Sequence, residues 1–130
     1  MWIYNYNLGA IGAATVFSVV LGMVWYAPPV FGRWWQALTG AQKPNAVAMI
    51  VWGVCYLALG VAVSYVFKRL GVVGLAAGLR WGGTLGVGIV VLGIAPNYAF
   101  GRKALALFLI EAGYVAAALT VMGGVLGAWR

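Results

Sequence analysis

Four apolar runs, at residues 8–26, 46–67, 72–95 and 104–126, constrain this chain more than any other feature. Each is roughly 19 to 24 residues long, which at about 1.5 Å per residue crosses a hydrocarbon core of about 30 Å. Inside lipid every backbone amide and carbonyl must be bonded within the protein, so a spanning segment is either a helix or a strand of a closed barrel. The runs lack the period-two alternation of barrel strands. They predict an all-α fold, a single integral membrane domain over residues 1–130 built as a four-helix bundle. A mean hydropathy of +1.02 and a charged content of 7% are incompatible with a water-soluble domain. Residues 1–7 carry no charged side chain and the first run ends in aromatics and prolines, unlike a secretory leader, so that run is expected to be retained as a span.

The net charge is +7, but the basic residues cluster where the runs end, which points to lipid headgroups and not to nucleic acid. Lys68, Arg69 and Arg130 fall on the face that carries both termini, and Arg33, Lys43, Arg102 and Lys103 on the other, here called the loop face. Cys55 lies within the second run and, as the only cysteine, has no intrachain disulfide partner; it reads as a small packing residue.

The connection between the first two runs is structured. In Trp25-Tyr26-Ala27-Pro28-Pro29-Val30-Phe31-Gly32-Arg33-Trp34-Trp35, Pro28 disfavours helix at Ala27 and Pro29 suits the first turn of a new helix. Phe31, Trp34, Trp35 and Leu38 then recur at i, i+3, i+4 and i+7, predicting a short amphipathic helix over about 29–38 that lies in the membrane interface. Arg33 would face headgroups, and Asn45 is placed to cap the second span. The stretch reads as an interfacial anchor, with a ligand site as the alternative.

Small residues recur at every fourth position in three runs: Ala10, Ala14, Ser18 and Gly22; Gly74, Gly78, Gly82 and Gly86; Ala112, Ala116, Thr120, Gly124 and Ala128. Such stripes allow close backbone approach, which matters in lipid because packing and dispersion hold the helices together. They serve packing within the chain or contact with a second copy.

The chain has no histidine and only one acidic residue. This removes Ser-His-Asp triads, paired-carboxylate hydrolysis and the usual zinc and di-iron ligand sets, so a non-catalytic protein without metal or cofactor is expected. Arg80 and Glu111 nevertheless lie inside apolar runs, where an ionisable group is a functional hypothesis by default. Counted from the run ends, Arg80 is about 12 Å below the terminal face and Glu111 about 10 Å below the loop face, so their heights differ by roughly 8 Å. Arg80 could pair with Glu111, anchor at the interface beside Trp81, or meet a partner or headgroup. At 100° per residue both charges point away from the small-residue stripes, which favours contacts with other membrane subunits or self-association. Tyr114, one turn from Glu111, is the nearest polar companion.

The stretch at 25–35, together with Ile110-Glu111-Ala112-Gly113-Tyr114 and the glycine-rich end at 122–129, resembles a bacterial family of small four-span membrane proteins of unknown function. That family shows a W-Y-S-P-x-x-F-G-x-x-W signature after its first helix and an acidic-small-Gly-Tyr element in its last. Ala27 replaces the usual serine here, and Arg80 stands in a stretch that is usually apolar. The resemblance implies Trp25, Tyr26, Pro28, Phe31, Gly32 and Trp35 as motif positions, with Glu111, Gly113 and Tyr114 as the second element. It implies a four-span fold in the bacterial inner (cytoplasmic) membrane and transfers no mechanism. The leading expectation is an accessory or structural subunit of a membrane complex or homo-oligomer. The alternatives are a small homo-oligomeric transporter using Glu111 and Arg80, and a lipid- or pigment-binding protein.

Overall fold

The computed structural model describes residues 7–40 and 46–129. The chain forms α1 (Leu8–Trp25), a π-helical turn (Pro28–Gly32), α2 (Arg33–Thr39), α3 (Ala46–Leu70), α4 (Leu75–Leu85), a second π-helical stretch (Gly86–Val91), α5 (Leu92–Phe100) and α6 (Leu105–Ala128). From α4 through α5 the helix is continuous, a single span Leu75–Phe100. Together with α1, α3 and α6 this makes four helices long and apolar enough to cross a membrane, and no strand occurs among the described residues. The fold is the all-α, four-span bundle that the apolar runs require. Lys43, Asn45 with its expected capping role, and Arg130 lie outside the described residues.

The helix ends follow from local chemistry. The Asn7 side chain accepts from the Ala10 N–H at 2.9 Å and donates to the Trp129 carbonyl at 3.2 Å, capping α1 and tying it to the end of α6. Helix α3 runs to Leu70, past the expected end at 67. It closes through Gly71, which takes a left-handed φ of 69°, while the Val72 N–H returns to the Phe67 carbonyl at 2.9 Å. This is a Schellman closure, and its hydrophobic contact joins two buried side chains, Val72 and Phe67. The third span starts at Leu75 and not 72, because the positive φ of Gly74, 101°, belongs to the turn. It also passes through Pro96 to Phe100. A proline inside a helix frees one carbonyl, which membrane helices accommodate through local adjustments such as the π-helical stretch just before it.

The connecting segment differs from one amphipathic helix over 29–38. Pro28 and Pro29 have no N–H to donate, so the Ala27 carbonyl receives Val30 N–H at 2.9 Å and Gly32 N–H at 3.0 Å, and the backbone opens into a π turn before α2 begins. Gly32 is required there, since a Cβ would run into the Tyr26 carbonyl. Gly40, at a φ of 69°, ends α2. Because the turn breaks the phase, the four apolar positions do not form one face. Trp34 is 64% exposed and Leu38 40%, whereas Phe31 and Trp35 are half-buried against the bundle.

Helix α6 is the centre of the bundle: 39% of its apolar window is buried, against 17% for α3 and for the third span. On one side α4 lies on it backbone to backbone. A Cβ on Gly78 would strike the Gly123 carbonyl, one on Gly82 the Leu119 carbonyl, and one on Gly127 the Gly74 carbonyl. The Gly74 N–H also donates across to the Gly127 carbonyl at 2.8 Å. On the other sides Ala10, Ile11 and Ala14 of α1 and Val63 and Phe67 of α3 close a core around Leu119, Met122 and Leu126. Ser18 is fully buried and satisfied within α1, donating to the Ala14 carbonyl at 2.9 Å.

Candidate functional site: an aromatic cavity with one carboxylate

At the loop face the bundle is built differently, from rings in place of glycines. Trp25, the last residue of α1, donates its indole N–H to the Ile110 carbonyl of α6 at 3.0 Å. Its ring covers Gly113, where a Cβ would lie 3.0 Å from the indole. Tyr26 sets its ring edge-on to Tyr114 and to Trp35, each at 5.6 Å between centroids. Phe31 backs onto Trp25 at 5.1 Å and Trp34 onto Phe31 at 6.3 Å. The two sequence elements at 25–35 and 110–114 are therefore one structural unit. The 25–35 stretch sits on protein, so the purely interfacial anchor gives way to a wall of the bundle, with Trp34 and Arg33 left on the outside.

Tyr114 is the hub. It is buried, donates its hydroxyl to the Ser18 carbonyl at 2.7 Å, and accepts the Trp52 indole N–H at 3.2 Å. Trp52 and Tyr56 of α3 flank it edge-on, with centroids at 6.1 and 5.6 Å. Gly22 makes room for this arrangement, because a Cβ there would overlap the Trp52 ring. Gly22 thus serves the cavity, while Ala14 and Ser18 pack in the core.

Glu111 stands one turn before Tyr114. Its Oε2 accepts the Tyr98 hydroxyl at 2.6 Å. Tyr98 is positioned by the exit from α5: Arg102 takes a left-handed φ of 53°, and Lys103 N–H returns to the Tyr98 carbonyl at 3.0 Å. The Lys103 ammonium then lies 5.0 Å from the centroid of the Tyr98 ring. Among the described residues, no basic side chain is paired with Glu111.

Between the end of α1, α2, the first half of α3 and the first half of α6 these groups leave a cavity of about 640 Å³. Among the described residues, five rings line it, those of Tyr26, Trp35, Trp52, Tyr56 and Tyr114, and Gln36 and Glu111 are the other polar side chains in its wall. Tyr26 lies just beyond the first span. Burial pushes its phenol well above the ordinary range, and the Glu111 charge and the Tyr114 and Tyr98 phenols push it the same way, so it stands as a neutral hydrogen-bond donor at the rim.

Arg80 is elsewhere. It is exposed on α4, on the side away from Gly78 and Gly82. Since Gly82 is level with Leu119 and Gly123 and Gly78 with Gly123 and Gly127, Arg80 lies about twelve residues, or roughly 18 Å, from Glu111 along α6. Glu111 bonds Tyr98 instead, so the Arg80–Glu111 pair does not form. The small-residue stripe of the third span packs within the chain. On α6 the closest backbone contacts to α4 are made by Leu119, Gly123 and Gly127; of the expected stripe, Thr120 lies against Gly83 and Gly124 against the Leu79 and Leu75 side chains of α4, Ala116 meets Gly86 just beyond it, and Ala112 is buried. Sequence reasoning missed Gly123, Gly127, Trp52, Tyr56 and Tyr98. The i, i+4 spacing of Gly123 with Gly127, and of Trp52 with Tyr56, was the available signal.

Fold and site together define an integral membrane helical bundle with an aromatic, carboxylate-bearing cavity near one face. A family model described as a protein of unknown function (DUF1761) matches residues 9–127, and the chain belongs to that family. The match takes in all four spans and both elements that build the cavity. No curated protein and no solved structure matches the chain.

Proposed function

We propose that this chain is a non-catalytic membrane protein that holds a small molecule in the loop-face cavity, in the bacterial cytoplasmic membrane that the resemblance implies. The observation that carries this reading is the cavity itself: about 640 Å³, within the range of small-molecule sites, and mostly apolar with a few convergent polar groups. A single carboxylate without a histidine or second acid supports binding over acid–base chemistry. The test is a cavity-filling variant, Ala48→Trp, in lipid nanodiscs. The parent protein should be stabilised thermally by hydrophobic small molecules from a mixed library, and the filled variant should not respond. An equal response from both would sink the reading.

A second reading, an accessory subunit packed against other membrane proteins, is favoured by Arg80, a charge on the outward side of a spanning helix. Such a group calls for a partner or a headgroup. The small-residue stripe of α4 lends it no support, being occupied by α6. A monodisperse monomer whose fold is unchanged by Arg80→Leu would count against this second reading. A conducting path using both charges is disfavoured by the distance between them.

A further inference from the structure

We propose that the molecule held in this cavity is a lipophilic organic cation of the quaternary ammonium or phosphonium type, caged by the five rings with its charge directed to Glu111. The inference rests on the ligand-binding reading above and adds its chemical class.

Three observations carry it. First, the walls are phenols and indoles, whose ring quadrupoles attract a cation that has shed its water, and the site needs no hydrogen bond from such a ligand. Second, the donors gathered at the Tyr114 hub are spent on the protein, which leaves an anion only Tyr26, Trp35 and Gln36 among the described wall residues. The Tyr114 hydroxyl goes to the Ser18 carbonyl, the Trp52 N–H to Tyr114, and the Trp25 N–H to Ile110. Third, the only acidic side chain of the sequence, Glu111, lies in this wall. Glu111 accepts one hydrogen bond, from Tyr98, and no basic side chain among the described residues neutralises it. The protein already carries one cation on a ring beside this carboxylate, Lys103 over Tyr98. The net charge of +7 repels cations from the surface as a whole, so selection of a cation is a local property of the cage.

The experiment uses the full chain in nanodiscs, with empty nanodiscs as background, and compares tetraphenylphosphonium with tetraphenylborate, ions of matching shape and opposite charge, by equilibrium dialysis. The phosphonium should bind at least tenfold more tightly than the borate. Glu111→Gln should weaken the phosphonium at least tenfold and leave the melting temperature near that of the parent. Trp35→Leu, on the outer wall, provides a second variant and should weaken the phosphonium more than the borate. If the two ions bind alike, or Glu111→Gln leaves phosphonium affinity unchanged while Ala48→Trp abolishes it, the cation assignment is overturned and the cavity remains a ligand site. If neither ion nor neutral triphenylmethane binds above background, the ligand reading falls with it.

Discussion

Substituting Gly123 by alanine probes the contact that holds the bundle together. A Cβ at Gly123 would overlap the Gly78 carbonyl oxygen and lie 2.8 Å from the Gly82 Cα and 3.1 Å from the Gly82 nitrogen, where carbon contacts settle at about 3.5–4.0 Å. The obstructing atoms are backbone atoms of α4, so no side chain can swing aside and the two helices must separate. Overpacking of this kind costs about 1–3 kcal/mol, and the rigid surroundings place Gly123→Ala near the upper end. Separation would also strain the Gly74–Gly127 hydrogen bond of 2.8 Å. Alanine in place of a helical glycine returns up to about 1 kcal/mol of backbone propensity, leaving a net loss of about 2 kcal/mol. Gly93→Ala is the matched control: it is also helical, and nothing lies within 4 Å of its would-be Cβ, so it should be neutral or stabilising by up to about 1 kcal/mol. The two variants should therefore differ by about 3 kcal/mol, more than a hundredfold in unfolding equilibrium. Steric-trap or denaturant unfolding in bicelles measures this directly. Equal stability of the two variants would refute the backbone-to-backbone packing of α4 on α6.

Tyr114→Phe should lower stability by about 1–3 kcal/mol, because the Trp52 N–H and the Ser18 carbonyl lose their shared partner in an apolar setting; a shifted tryptophan emission alongside the unfolding curve would report it. Arg80→Leu should favour membrane insertion of the third span, by less than the cost of about 3 kcal/mol for an arginine at a helix centre because Arg80 is five residues after Leu75, as read by glycosylation mapping; poorer assembly of the folded protein would instead reveal a partner. Because the Tyr26 phenol is raised above its ordinary value of 10.0, the unfolded chain loses this proton first, and its contribution to stability is present below about pH 10 and falls by about 1.4 kcal/mol per pH unit above it. Tyr26→Phe should flatten that alkaline limb in a pH series of melting temperatures.

The spans were legible because lipid leaves so few solutions for a 20-residue apolar run. Their ends were less so. Lys68 and Arg69 mark where the apolar run stops, but α3 continues to Leu70, since a charged tip can reach water from a helix whose backbone bonds continue. The phase of the stripes was harder still. Residues 112, 116, 120 and 124 and the pair Gly123 and Gly127 are all small and all four apart, and nothing in spacing alone says which phase makes the closest backbone contact with α4. In the connecting segment, a periodic pattern implied one helix with one buried face until two missing N–H groups opened the π turn, which leaves Phe31 and Trp35 half-buried and Trp34 and Leu38 exposed. Glu111 and Tyr114 were recognisable as unusual. That Trp52, Tyr56 and Tyr98 surround them follows from tertiary convergence, which sequence distance does not display.

Helix α6 carries two kinds of surface on one rod, and this accounts for why a cavity exists at all. Its second half presents Leu119, Gly123 and Gly127 to α4 with no space between the backbones. Its first half presents Glu111 and Tyr114, too bulky for such an approach, and there the partners stand off on rings from α1, α2 and α3. The third span passes from glycine contact to the π-helical stretch and Pro96, and returns to α6 through the Tyr98 hydroxyl on Glu111. A tight end and a spaced end on the same helix imply that their perturbations separate: variants at Gly78 or Gly123 should change stability and leave the affinity of the folded fraction unaltered. Variants at Trp35 or Glu111 should do the reverse, and a Gly123 variant that lost affinity while still folded would show the two ends to be mechanically coupled.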